Sequence, residues 1–226
     1  MIKRKIIIKG FLLLTAVVLM ACSKKPNSEF NKIKISDEAI ESITKLEEST
    51  DYRFLGDFYP FIKGTKYTYE INYGKLKGTV ISLIDDVENN RAEIIVDNDG
   101  NKKIKILEKN SEGLLGYIED DLSKENDEFT KPMPKLSTYY IKTPFIDNNR
   151  WSLPGEDIRY ISDTHLKLSL KNNKELKVIE VVTEYKEKNY KDYLKEYYAE
   201  SIGFIGSIYN ENGHITTTSL KTIELK

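Results

Sequence analysis

One cysteine in 226 residues leaves no partner for an internal disulfide. With only two histidines beside it, the usual Cys/His zinc sets are out of reach. Six prolines and twelve glycines exclude proline-rich and collagen-like chains. No apolar run reaches the ~20 residues of a membrane-crossing helix, which excludes a polytopic membrane protein. The net charge of −1 gives no general attraction for nucleic acid or anionic lipid. What the chain does have is tyrosine, fifteen of them. Aromatics at 11 % with so little net charge argue against wholesale disorder.

The chain opens with Lys3, Arg4, Lys5 and Lys9, and no acid precedes Glu29. Phe11 to Ala21 is almost wholly apolar, only eleven residues long. Charge followed by a short greasy stretch is the order of a secretory signal, predicted here over residues 1–21. The stretch ends Leu19-Met20-Ala21-Cys22-Ser23. This resembles the lipobox of bacterial lipoproteins. The resemblance implies that the Cys22 thiol takes a diacylglyceryl group, that a peptidase cuts before it, and that the new amine is acylated, palmitate being the usual chain. Each buried methylene contributes ~0.8 kcal/mol, so two or three chains hold durably where one holds marginally. Losing residues 1–21 removes four positive charges and turns −1 into −5. The lipid on Cys22, not electrostatics, is then the expected membrane contact. The expected place is the cell envelope, outside the cytoplasm. Ser23 is not the Asp that serves as a retention signal in two-membrane hosts.

Residues 22–35 read as the lipidated Cys and a flexible tether, and 36–226 as a single β-rich domain. Ser36 caps a short helix over 37–48, with Asp37 and Glu38 in its first turn and Ala39, Ile43 and Leu46 on one face. Its acidic polar face points to packing on the body rather than on a membrane. From Tyr52 the period is two. Tyr67, Tyr69, Ile71 and Tyr73 alternate with polar residues, and strands are predicted at 80–87, 92–96, 103–107, 113–118 and 137–143. Further strands are predicted at 158–161, 165–170, 176–185, 202–209 and 215–225. Asp97 to Asn101 and Asn210 to Gly213 read as hairpin turns. Residues 119–135 read as an exposed acidic loop. Residues 187–200 fit helix through Tyr190, Leu194 and Tyr197, or an extended edge; strand from about 193 is preferred.

Ten residues from Pro60 align without a gap on ten from Pro144, an offset of 84. Pro-Phe-Ile is identical, Gly64 faces Asn148, and Tyr67 faces Trp151. Both Gly and Asn tolerate positive φ. Two related halves sharing one core are expected, with units starting near 60 and 144. The fold class expected is all-β: an antiparallel sandwich or a curved, incomplete barrel, with the short N-terminal helix. Tyr59-Pro60…Gly64…Tyr67-Thr68-Tyr69 and Tyr197-Tyr198-Ala199…Ile202-Gly203-Phe204-Ile205 also resemble a family of poorly characterised β-rich envelope lipoproteins. The resemblance covers about 59–209. Its residues are turns and core aromatics, so it implies a fold and carries over no catalytic residue.

Chemistry is sparse. Gly-x-Ser-x-Gly, His-Glu-x-x-His and phosphate-loop patterns do not occur. A lipid-bearing Cys22 is no nucleophile. His165 reads as a surface strand residue and His214 as an exposed turn residue. Asp97, Asp99, Asn101 and Glu108 keep an EF-hand count, but Lys102 stands where glycine is needed. Glu119, Asp120, Asp121, Glu125, Asp127 and Glu128 read as a solvated loop rather than a calcium site. No catalytic residue, metal or cofactor is expected. The expected function is a non-catalytic binding or structural module that takes an apolar ligand or lipid. The rivals are a contact module for protein or cell wall and a hydrolase with an unrecognised acidic site.

Overall fold

The computed structural model describes residues 29–49, 57–119, 133, 137–186 and 192–225. The signal segment, Cys22, most of the tether, nearly all of the acidic loop, and 187–191 lie outside the described residues. From Lys32 onward the chain forms one compact unit. Of the segment before it, residues 29–31 are described and open a short 3-10 turn, Phe30–Lys32.

One helix, α1 (Asp37–Ser49), precedes twelve strands. The first six are β1 (Lys66–Tyr73), β2 (Leu76–Glu88), β3 (Arg91–Asn98), β4 (Asn101–Asn110), β5 (Gly113–Glu119) and β6 (Thr138–Lys142). The second six are β7 (Arg150–Ser152), β8 (Ile158–Ser169), β9 (Glu175–Glu184), β10 (Tyr193–Ala199), β11 (Gly203–Glu211) and β12 (His214–Glu224). All pair antiparallel in one sheet, ordered β6-β5-β4-β3-β2-β1-β12-β11-β10-β9-β8-β7. The fold is therefore the expected all-β one, a nearly closed antiparallel barrel with a single short helix. Two six-stranded meanders meet where β1 lies against β12, Tyr67 opposite Ile223 and Ile71 opposite Thr218.

The outer edges, β6 and β7, share no backbone ladder. Side chains close the gap instead. Trp151 Nε1–H donates to the Tyr139 carbonyl (3.0 Å), Arg159 Nε–H to the Tyr140 carbonyl (2.9 Å), and Asn149 Nδ2–H to the Lys142 carbonyl (3.0 Å). An edge strand exposes unpaired backbone groups that invite a stray partner. These three donors occupy three carbonyls of β6.

The segments entering the two halves make the same backbone bonds. Gly64 N–H donates to Ile84 O as Asn148 N–H does to Ile161 O. Thr65 N–H bonds Ile62 O as Asn149 N–H bonds Ile146 O. Ile84 N–H returns to Thr65 O as Ile161 N–H returns to Asn149 O. Gly64 and Asn148 both have positive φ, 85° and 66°. The aromatic that follows each, Tyr67 or Trp151, is buried.

Several boundaries differ from the sequence reading. The segments 158–161 and 165–170 form one strand, β8, interrupted by shifts of register around Asp163. β7, three residues long, is too short for periodicity to reveal. The tether was expected to run to about Ile35, yet Ile33 is already buried. It lies over Gly206, while Lys34 N–H donates to Ser219 Oγ (3.2 Å) and Ser36 N–H to Leu220 O (3.2 Å). Ser36 Oγ caps α1 by accepting from Ala39 N–H at 3.0 Å. Ala39 and Ile43 are wholly buried, and Lys171 and Lys174 pair with Glu41 and Glu47 of the helix at 3.3 and 3.5 Å. A Cβ on Gly206 would sit 2.4 Å from Thr218 O and 2.7 Å from Ile33 Cγ2. Gly206→Ala should therefore cost about 1–3 kcal/mol through overpacking, read as a lower urea midpoint. An unchanged midpoint would mean that Ile33 does not pack there.

Candidate functional site

Strand alternation sends every second residue of β1–β4 and β10–β12 to one face. There they bound a cavity of about 270 Å³. Its two ends differ. Ile71, Val80, Val96 and Phe204 line one part of the wall; Tyr59, Lys105, Glu196 and Tyr198 line another. The register places them along the strands. Tyr69 opposes Val80, Ile71 opposes Gly78, and Tyr73 opposes Leu76. Tyr73 and Leu76 thus continue the cavity face outward, and both are exposed, Leu76 to 70 %. They form an apolar lip. From Val80 to the level of Ile84 is four residues, about 13 Å at ~3.3 Å each. Ile84 opposes Ile94, and Ile94 opposes Lys105.

The aromatic part of the wall is a chain of contacts. Tyr59 meets Tyr198 at 6.3 Å between centroids, Tyr198 meets Phe204 at 5.7 Å, and Phe204 meets Tyr69 at 5.4 Å. Burial pushes the phenols of Tyr59, Tyr69 and Tyr198 above the usual tyrosine range, and it does the same to Tyr67. The Tyr67 hydroxyl donates to Ile202 O (3.2 Å) and the Tyr69 hydroxyl to Phe204 O (3.1 Å).

Behind the polar end stands Arg159, only 6 % exposed. Its guanidinium donates to Glu196 Oε2, to Thr183 Oγ1 (3.1 Å) and weakly to Tyr198 Oη (3.5 Å). Glu196 is thereby matched. Lys105 is half-buried, its Nζ lies 3.8 Å over the Tyr140 ring and bonds the Tyr140 side chain, and among the described residues no carboxylate touches it directly. Burial works against its charge, yet Tyr140, Tyr59 and Glu196 nearby hold its ammonium above the usual lysine range.

A larger groove of about 490 Å³ lies on the opposite face of β8–β10. Glu180, at 2 % exposure, is buried in its wall. Its acids are satisfied from within. Glu180 accepts from Tyr197 (2.8 Å) and Ser162, Glu184 from Tyr160 (2.9 Å), and Asp192 from Asn212 N–H (2.7 Å).

His165 falls where the sequence placed it, on the surface, with its side chain 82 % exposed. The fold brings Asp147 and Asp163 to it, so that one ligand atom from each lies within 4.8 Å of the others. Two carboxylates and an imidazole are donors a divalent cation accepts. Local bonds already engage them: Asp147 Oδ1 takes Thr164 N–H and Oγ1–H at 2.9 Å, and Asp163 Oδ1 takes His165 N–H at 2.8 Å. His214 is exposed at the start of β12. Of the EF-hand count, Asp97 caps its turn through Gly100 N–H (2.7 Å), and Glu108 pairs with Arg91 at 2.6 Å.

Lys105, Arg159 and Glu196 were not singled out by the sequence. Lys105 stands in a Lys-Ile-Lys-Ile alternation, which reads as charge outward and isoleucine inward.

No family model matches the chain, and no curated protein matches it. Two solved structures are similar at low identity. One is a Bacteroides fragilis protein described as exported, with a YmcC-like fold: 16 % identity, TM-score 0.35, covering 74 % of this chain and 98 % of that one. The other is a Parabacteroides distasonis protein described as a lipoprotein: 12 % identity, TM-score 0.38, with the same two coverages.

Proposed function

We propose that this chain is a lipid-anchored, extracytoplasmic binding module that holds a small amphiphile inside its barrel and performs no catalysis. The observation that carries the reading is the cavity with an apolar part, a polar part and an exposed apolar lip. Ligand sites are typically apolar pockets with a few placed polar groups, and this one has that composition. The groove on the other face is larger, but its polar groups are already spent on one another. The anchor rests on Leu19-Met20-Ala21-Cys22.

Gly78 offers a direct test of the cavity. It faces Ile71 across the ladder, and a Cβ there would meet only Asp99 Oδ2, at 3.8 Å. Gly78→Val should leave the fold intact and block the lip. Full-length protein should enhance the emission of an apolar, environment-sensitive dye, and the variant should lose that enhancement. Equal binding by both would move the ligand elsewhere, with the groove beside Glu180 as the next candidate. The anchor is tested by metabolic labelling with an alkynyl palmitate. Wild type should carry the label and Cys22→Ser should not; equal labelling would overturn the anchor.

A further inference from the structure

We infer that the ligand of this cavity is a single-chain amphiphile with a carboxylate head, and that the Lys105 ammonium holds that head. The inference rests on the cavity reading and adds the chemistry of its occupant. It starts from charge. The ionised groups at the polar end are Lys105, Glu196 and Arg159. Arg159 and Glu196 bond each other, and although Lys105 also feels the Glu196 charge, two cations around one anion leave a net positive charge. An anion brought into the apolar cavity is costly unless a cation meets it, and Lys105 stands there charged. One charge matches a carboxylate better than a phosphate monoester, which carries about −1.5 to −2 at neutral pH.

Shape gives the rest. Lys105 lies level with Ile94 and Ile84, and the wall from there toward the lip runs through Val96, Val80 and Ile71. A head at Lys105 therefore points its tail at Tyr73 and Leu76. A volume of about 270 Å³ suits one short acyl chain and excludes a two-chain phospholipid. Tyr140 supports the head site from below. Its ring lies beneath the ammonium, and Gly116 makes room for that ring, since a Cβ there would sit 2.2 Å from it.

The test is a head-group series on the full-length wild-type protein, by calorimetry in detergent below its micelle concentration. Octanoate, octanol, octylamine and octyl phosphate share one tail. Octanoate should bind tightest, and octanol on the order of 10- to 100-fold more weakly, the range expected for one charge-assisted hydrogen bond. Octanol binding as tightly as octanoate would overturn the carboxylate assignment while leaving the cavity reading in place. Failure of all four to bind would overturn both. Octyl phosphate or octylamine binding tightest would also overturn the assignment. Lys105→Met then locates the head: octanoate should fall to the level of octanol, octanol should not change, and Lys105→Arg should restore the preference. Should Lys105→Met fail to fold, Lys105→Gln takes its place. A preference that survives the loss of the charge would remove Lys105 from the site.

Discussion

Arg159→Leu is expected to destabilise the domain by about 3–5 kcal/mol, the cost of breaking a buried ion pair from one side. Glu196, its side chain 13 % exposed, would be left without the guanidinium that neutralises it. The substitution also removes one of the three donors that span the seam between β6 and β7, the Nε–H on the Tyr140 carbonyl. Lys105 lies near enough to Glu196 for each to feel the other's charge, which pulls the cost toward the lower end of the range. Urea unfolding followed by circular dichroism measures it. The double change Arg159→Leu with Glu196→Leu should recover part of the loss, because buried pairs are often replaceable by apolar groups. A single variant with the wild-type midpoint would show that the seam does not need Arg159.

The second large effect is alkaline unfolding. Tyr59, Tyr67, Tyr69 and Tyr198 share the interior, and burial raises all four phenols above the unfolded value near 10. The folded state holds these protons more tightly than the unfolded one. Their contribution is therefore whole below about pH 10 and is lost as pH climbs toward the folded values. After exposed phenols such as Tyr73 have ionised, the tyrosinate absorbance of the four buried rings should appear in a steep step that coincides with loss of the β signal. Tyr160 is less enclosed, and its phenol is pushed up only to about 12, by burial first and then by its bond to Glu184. Complete ionisation of all the tyrosines over an unchanged β signal would show that the four rings are open to water.

Strands covered on one face were legible from alternation, as in Tyr67 to Tyr73. β9 was predicted at 176–185 and forms Glu175–Glu184, but its inward face was not legible, because Val178 to Thr183 are all buried. One side faces the barrel interior and the other is covered as well, so the contrast that marks a face disappears. Residues 193–199, ambiguous by spacing, form β10, again with both Tyr197 and Tyr198 buried. The helix was readable because its cap, first-turn acids and apolar stripe agree. The polar end of the cavity was not, since a charged residue in a strand is by default an outward one. Arg159 follows Ile158 and Glu196 precedes Tyr197, and nothing local tells which neighbour turns in. Asp147 joins His165 and Asp163 only through the turn that leads into β7, a contact no spacing rule contains.

The β1–β12 ladder is where the two meanders join, although these strands stand at opposite ends of the body's sequence. Ser36 already bonds Leu220 and Lys221, so the start of the folded body lies beside its last strand. A circular permutant that links residue 225 to the segment before Ile33 and opens the chain between β6 and β7 would place the whole barrel in sequential order, β7 through β12 and then β1 through β6. Its new ends would fall at the side-chain seam, where no ladder is broken by cutting. Ten of the eleven strand pairs already join chain neighbours, and the permutant would bring the eleventh, β1 with β12, close in sequence as well, which lowers the loop-closure entropy of that one long-range pairing.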